Sequence, residues 1–282
     1  MFGIYVHIPF CIKKCSYCDF YSVTGSKVPV TEFLSALISQ LELDTSAFKL
    51  TGKKVGSIYF GGGTPSLMPP EFFDKLISEI GKIFKLSDDC EISCEVNPAT
   101  ADLNWFCKTA KTGVNRMSIG IQSFNDRLLA ILGRIHSSED AMRSIAEAQS
   151  AGFKSVSVDL MYAIPTETMN ELEDDLKTAM TFQPNHISAY QLTIEEGTPM
   201  AVVANSCEFV GAGPRACPKG QPQGVAPTVE TIHELSLLNQ MRMVARVLTR
   251  SGWPRYEISN FAKKGFESRH NQAYWERKGY KG

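Results

Sequence analysis

Residues 3–18 read Gly3-Ile4-Tyr5-Val6-His7-Ile8-Pro9-Phe10-Cys11-Ile12-Lys13-Lys14-Cys15-Ser16-Tyr17-Cys18. The first six are mostly β-branched or aromatic and read as a strand, which Pro9 ends. The loop that follows runs to about Pro29 and holds three cysteines within eight residues. The same unit, a strand ending in a chemically marked turn, recurs downstream. Residues 55–60 (VGSIYF) stop at Gly61-Gly62-Gly63-Thr64-Pro65, and residues 91–96 (EISCEV) stop at Asn97-Pro98. Further strands are expected at 114–121, 154–162 and 186–193. Apolar positions at helical spacing fill the gaps at 31–43, 70–84, 101–112, 125–132, 138–151 and 168–182. Thr31 or a neighbour is the expected cap of the first helix.

Six strands alternating with helices, each crossover long enough for a parallel connection, imply an α/β fold with a parallel sheet. Six units make a partial (β/α)6 barrel of the TIM-like kind and fall short of a full eight-unit barrel. In such folds chemistry sits at the C-terminal ends of the strands. The cysteine loop, the triple glycine and Asn97-Pro98 all follow strands. Residues 1–200 are therefore expected to form the core domain. Residues 201–228, rich in Gly and Pro with little periodicity, read as a long loop. Residues 229–282 begin a C-terminal region: one long helix over 229–251, a strand and turn at 256–262, and no closing element at Tyr280-Lys281-Gly282.

The chain has 282 residues, 43% hydrophobic and 21% charged, ordinary for a globular protein with a sizeable core. Lys plus Arg number 29 against 30 Asp plus Glu, which excludes a nucleic-acid binder that relies on a strongly basic surface. No apolar run reaches the 18 or so residues of a membrane helix. The N-terminus MFGIYVHIPF has neither a basic leader nor a cleavage-like site. The expectation is a cytoplasmic protein, with peripheral membrane association left open.

Eight cysteines in such a chain are more in keeping with a metal or redox site than with a disulfide framework. The spacing Cys11-x3-Cys15-x2-Cys18 gives three thiolates on one short loop. They can hold three irons of a [4Fe–4S] cubane and leave the fourth iron open. Zinc is the competing metal, but a structural zinc site would bring a fourth Cys or His. His7 is a weak candidate for that fourth ligand, and equally a hydrogen-bonded core histidine. The remaining alternative is three unrelated thiols. Cys90, Cys94 and Cys107 read as small buried hydrophobes. Cys207 and Cys217 fall in the Gly/Pro-rich loop, where they could be redox-labile.

CxxxCxxC with an aromatic before the last cysteine, on the loop after the first strand of an α/β barrel, resembles the radical S-adenosylmethionine superfamily. The resemblance extends through Tyr5-Val-His7-Ile-Pro-Phe-Cys11, Gly61-Gly62-Gly63-Thr64-Pro65, Glu95-Val-Asn97-Pro98 and residues 115–123 (NRMSIGIQS). It continues through Leu132-Gly133-Arg134 and residues 159–165 (DLMYAIP), blocks shared with the oxygen-independent coproporphyrinogen oxidase-like group. Residues 256–262 (YEISNFA) and 270–275 (HNQAYW) look like the HemW branch of that group. By resemblance, Cys11, Cys15 and Cys18 carry the cluster, whose open iron takes S-adenosylmethionine. Gly62, Gly63, Thr64, Glu95, Gln122, Arg134, Asp159 and Tyr5 match positions that bind that cofactor or line its site. Arg134 suits a carboxylate because its planar fork donates two parallel bonds. Glu95 has the alternative of a solvated carboxylate, and Asp159 that of a structural acid.

Two functions follow from the resemblance. One is a haem chaperone that holds haem and hands it to an acceptor protein. The other is oxidative decarboxylation of coproporphyrinogen III. The oxidases carry a further cysteine two residues after the third cluster cysteine, and here that position is Phe20. Phe20, together with the HNxxYW stretch, favours the chaperone. His270, flanked by Tyr274 and Trp275, is a candidate axial haem ligand, with an ordinary aromatic core cluster as the alternative. Implied partners are haem or a porphyrinogen, the acceptor, and an electron donor such as flavodoxin or ferredoxin. The resembled family continues past this block, whereas this chain ends seven residues after Trp275, so the C-terminal extension is expected to be truncated.

Overall fold

A computed structural model describes residues 2–25, 27–205 and 229–281. In chain order, β1 (Phe2–Ile8) leads through the short β2 (Phe10–Cys11) and β3 (Val23–Thr24) to α1 (Val30–Phe48) and β4 (Lys54–Gly62). Then come α2 (Pro70–Ile83), β5 (Lys85–Val96), α3 (Leu103–Thr109), β6 (Arg116–Gln122), α4 (Asp126–Leu132) and α5 (Ser138–Ser150). The chain continues with β7 (Ser155–Tyr162), α6 (Met169–Thr181), β8 (His186–Gln191), α7 (Pro199–Asn205) and α8 (Val229–Arg250). It closes with β9 (Asn260–Ala262), α9 (Arg269–Trp275) and β10 (Tyr280–Lys281). The main sheet has the order β10-β1-β4-β5-β6-β7-β8-β9. Every neighbouring pair in it is parallel except β8 with β9. The six expected strands are its six central members, in sequence order, as helical crossovers between parallel strands require.

Four details differ from the sequence reading. The first helix starts after Pro29 with no side-chain cap, because proline in the capping position has no side-chain acceptor and Thr31 already lies inside the helix. Residues 201–205 complete α7 instead of opening a loop, and the rest of that stretch, with Cys207 and Cys217, lies outside the described residues. Tyr280–Lys281 pairs with Gly3 and Ile4 and so extends the sheet at its β1 edge. Two residues are too short a strand for periodicity to announce. Cys90 and Cys94 are buried in β5, as expected, but Cys107 is only half-buried.

The two faces of the sheet differ in chemistry. Ile4, Val6, Ile58, Phe60, Ile92, Val96, Met117, Ile119, Val156, Val158 and Ile187 alternate along the strands. They pack with helix residues such as Phe72, Phe73, Leu76, Ile145 and Leu176 into the main core. The intervening positions are Tyr5, Ser57, Tyr59, Ser93, Glu95, Arg116, Ser118, Ser157, Asp159, His186 and Ser188. Strand side chains point to opposite faces in turn, so this second set shares one face. Parallel sheets usually bury apolar residues on both faces. Here the inner face is polar, and all of these groups but Ser93, whose buried hydroxyl has no hydrogen-bond partner among the described residues, bond to other groups or line a cavity. Among the described residues no helix is long and apolar enough to cross a membrane.

Candidate functional site

The cavity, about 540 Å³, opens at the C-terminal ends of the strands. Cys11, Cys15 and Cys18 line it, with Gly62, Gly63, Thr64, Glu95, Gln122, Arg134 and Asp159. These are the cysteines and seven of the eight cofactor candidates read from the sequence. The eighth, Tyr5, stands behind the wall. Its ring stacks on Tyr59 at a centroid distance of 6.0 Å, and its hydroxyl meets His7 Nδ1 at 3.2 Å. Tyr59, Ser118, Gly120 and Tyr190 also line the cavity and went unnoticed in the sequence. Their signal is the inner-face alternation, on which Gly120 lies two residues and Ser118 four residues before Gln122.

The cysteine loop is held by main-chain bonds. Ser16 donates from its N–H to Leu132 O (3.1 Å) and from its hydroxyl to Ile131 O (2.9 Å), at the end of α4. Its own carbonyl accepts from Met200 N–H at 2.9 Å. The α4 carbonyls are free to accept because a helix end leaves its last ones without internal partners. Gly133 stops α4 with φ 72, and a Cβ there would lie 3.1 Å from Ser16 N. Gly63 is confined in a second way, since a Cβ would meet Phe10 O at 2.8 Å and Cys11 Sγ at 3.0 Å. Only glycine lets the β4 turn approach the cysteine loop this closely.

Two thiols have hydrogen-bond donors: Thr64 Oγ1 to Cys11 Sγ at 3.6 Å and Arg134 Nη1 to Cys15 Sγ at 3.4 Å. Arg134 Nη2 donates to Gly120 O at 2.7 Å, and its buried Nε has no hydrogen-bond partner among the described residues. Burial raises the Cys18 thiol pKa. Among the described residues no three His, Cys, Asp or Glu side chains converge on one point, as a tetrahedral zinc ion would need. A cubane takes each thiolate on a different iron and does not need that convergence. His7 gives Nε2 to Tyr21 O at 2.9 Å and meets the Tyr5 hydroxyl through Nδ1, the hydrogen-bonded alternative of the two read for it.

The opposite wall is acidic. Glu95 accepts from Tyr59 OH (2.9 Å) and Gly62 N–H (3.1 Å). Burial nevertheless pushes its carboxyl up to about 7, helped by the Asp159 charge and resisted by those two bonds. Asp159 is also raised, chiefly by burial, against the hydroxyls of Ser118, Ser188 and Ser157. Two carboxylates facing one cavity, with an arginine across it, suit a ligand carrying both positive and negative groups.

The opposite end of the inner face is filled. His270 lies against Ser57 (Oγ to Nδ1, 3.1 Å), with the Tyr59 ring 5.1 Å away, and is 9% exposed. Burial lowers its pKa to about 4. The candidate axial ligand is thus packed inside the fold, while Tyr274 and Trp275 are exposed. The reason is α9, which carries His270 on its inward side against β1 and β4, and the two aromatics outward.

A sequence model of the radical SAM superfamily matches residues 5–179. The heme chaperone HemW of Bacillus subtilis is 35% identical over 100% of this chain and 69% of its own length. The chain belongs to the radical SAM superfamily, in its HemW branch. The heme chaperone HemW of Escherichia coli is likewise 35% identical, over 97% of this chain and 66% of that protein. The chain thus spans about two thirds of the length of these relatives. Coproporphyrinogen III oxidase (HemN) from Escherichia coli has a TM-score of 0.74 over 98% of this chain and 58% of that one, at 24% identity, a shared fold. The mostly parallel α/β sheet is thus that of radical SAM proteins.

Proposed function

We propose that this chain is the radical SAM core of a HemW-like haem chaperone. It carries a [4Fe–4S] cluster on Cys11, Cys15 and Cys18, binds S-adenosylmethionine in the adjoining cavity, and holds haem as cargo for an acceptor protein. The observation that carries the reading is the meeting of three thiols with Glu95, Asp159 and Arg134 around one cavity. S-adenosylmethionine brings a sulfonium, an ammonium and a carboxylate. The cations suit the two buried acids, and the carboxylate suits Arg134. Gly62 and Gly63 keep backbone rather than side chain at the wall, and Gln122 and Thr64 add polar contacts there. Tyr5 supports Tyr59 from behind. Held by Cys11, Cys15 and Cys18, a cluster would supply one-electron reducing chemistry beside the S-adenosylmethionine site. The chain's own residues exclude bulk water, fix the loop through Ser16 and set the charge of the walls.

Support for the haem cargo comes from the names of the relatives and from Phe20, which is exposed at the cavity rim where an oxidase would have a further cysteine. We place the protein in the cytoplasm, served by a flavodoxin- or ferredoxin-like electron donor. Anaerobically reconstituted protein titrated with haemin is expected to give a shifted Soret band. It is expected to form no protoporphyrinogen from coproporphyrinogen III when supplied with reductant and S-adenosylmethionine. Sustained decarboxylation in that mixture would overturn the chaperone in favour of the oxidase.

A further inference from the structure

A chain of hydrogen bonds runs through the inner face from the filled end to the cavity. Ser268 N–H donates to Tyr256 OH at 3.1 Å, and Tyr256 OH meets His186 Nε2 at 2.8 Å. His186 Nδ1 meets Ser157 Oγ at 2.7 Å, and Ser157 donates to Asp159 Oδ1 at 3.0 Å. Counting protons fixes the direction of every link. Ser157 has one hydroxyl proton and gives it to the carboxylate, so His186 must donate from Nδ1. Nε2 is then an acceptor, and Tyr256, already accepting from Ser268, supplies its own proton there. Ser157 and His186 are 1% and 2% exposed, so water cannot substitute for either.

We infer that His186 and Tyr256 are positioning residues which act through Ser157 to fix the Asp159 carboxylate toward the cofactor cavity. The inference rests on the cavity being the S-adenosylmethionine site. It ties that site to Tyr256 and Ser268, neither of which lines the cavity. Without Tyr256, neither tautomer of His186 is favoured, and Ser157 can turn its proton from Asp159 to Nδ1. The groups facing Asp159 are Tyr59 from β4, Glu95 from β5, Ser118 and Arg116 from β6, and Ser188, Tyr190 and His186 from β8. Burial holds His186 neutral, as the tautomer argument needs.

The first test is nitrogen-15 NMR of the histidine rings in the whole chain, with His186 assigned by its loss in His186→Asn. A neutral ring protonated on Nδ1 is expected, and a proton on Nε2 would overturn the direction of the chain. The second is the affinity for S-adenosylmethionine across pH. Tyr256→Phe is expected to weaken it about two- to tenfold, the worth of one net hydrogen bond. Ser157→Ala should weaken it further. In both, the acid limb of the affinity profile should move to higher pH, because a carboxylate that loses a donor protonates more readily. Glu95 titrates in the same cavity in all three proteins, so the difference between profiles reports Asp159. A purely structural role for Tyr256 would lower the unfolding midpoint and leave that limb in place. Wild type that binds S-adenosylmethionine, with both variants matching it in affinity and acid limb, would sink the relay and keep the site. Wild type that fails to bind it would remove the site, and the relay with it.

Discussion

The two ends of the inner sheet face are built from similar residues and behave differently. At the C-terminal ends of the strands, Glu95, Asp159 and Arg134 surround a cavity, and the buried Arg134 Nε has no hydrogen-bond partner among the described residues. At the N-terminal ends, Ser57, Glu91, Arg116 and His186 are closed over by the segment that runs from Tyr256 to α9, and they hydrogen-bond to it. One end is held ready for a ligand; the other has had its ligand supplied by the chain. A polar sheet face is therefore not by itself a site. What marks the site is the cavity that its charged groups surround.

The largest expected effect is at the open end. Replacing Cys11, Cys15 and Cys18 together by Ala should abolish iron binding, from about four irons per reconstituted chain to none. The same protein should still fold, since the loop leans on the fold through Ser16 rather than through its thiols. Iron analysis and thermal unfolding of one preparation check both halves. Iron retained in full by the triple variant would dissolve the contrast between the ends.

The filled end should respond in the opposite way. Arg116 is 4% exposed and donates to Phe266 O (2.9 Å) and Ser155 Oγ (3.2 Å), with Glu91 at 3.6 Å. Arg116→Met takes the cation from the half-buried Glu91, which keeps only Ser268 Oγ and His270 N–H, and the donor from the Phe266 carbonyl. Such a loss costs about 3–5 kcal/mol. Urea unfolding should reveal it, while iron per folded chain stays unchanged. A loss under about 1 kcal/mol would mean that the filled end is less firmly joined than its contacts imply.

The open end was the more legible of the two in the sequence, for a physical reason. Its markers are local: CxxxCxxC, GGGTP and the turn after Glu95 each fit within a few residues, and the parallel sheet brings strand ends together. The filled end is assembled from pairs remote in sequence. Tyr256 and His186 are 70 residues apart, Arg116 and Phe266 are 150, and Ser57 and His270 are 213. No short pattern announces such pairs, so His270 was weighed as a haem ligand although it packs against β4. The serines at 57, 93, 118 and 157 were visible throughout. Serine on a strand carries no signal until its neighbours across the sheet are known. Tyr5 reaches the cavity wall only through a neighbour of the same kind: its ring stacks on Tyr59, which lines the cavity.

The uncompensated charge of the open end should show in its pH dependence. Glu95 has a pKa of about 7 in the fold, against an ordinary 4.5. Between those values Glu95 keeps a proton in the folded chain that the unfolded chain has lost, so its contribution to stability falls as pH rises across that window and is level above 7. Two and a half pH units correspond to roughly 3 kcal/mol at most. Glu95→Gln should flatten that decline in urea unfolding followed from pH 4.5 to 8. S-adenosylmethionine should also reduce it in the wild type, by supplying positive charge. An equal slope in wild type and variant would assign the decline to other groups.

The smallest effect sharpens the comparison at a single bond. Thr64 Oγ1 donates to Cys11 Sγ at 3.6 Å, in a part of the wall where Gly63 admits no alternative approach. A donor to a cluster sulfur stabilises the more negative, reduced form, and such bonds help to set cluster potentials. Thr64→Val keeps the shape and removes the donor. The threonine is 6% exposed, so water does not replace it. The reduced cluster should then lose about 1 kcal/mol, the net worth of one hydrogen bond. For a one-electron couple that is a fall of about 40 mV, since a tenfold change in equilibrium is 59 mV. Redox titration followed by EPR measures it. The comparison variant at the filled end is Ser57→Ala, which removes the hydroxyl bonded to His270 Nδ1 and touches no thiol. Its potential should equal that of the wild type. A potential that moved equally in both variants would trace the shift to general loosening of the fold, and a potential unmoved in Thr64→Val would remove Thr64 from the cluster's surroundings.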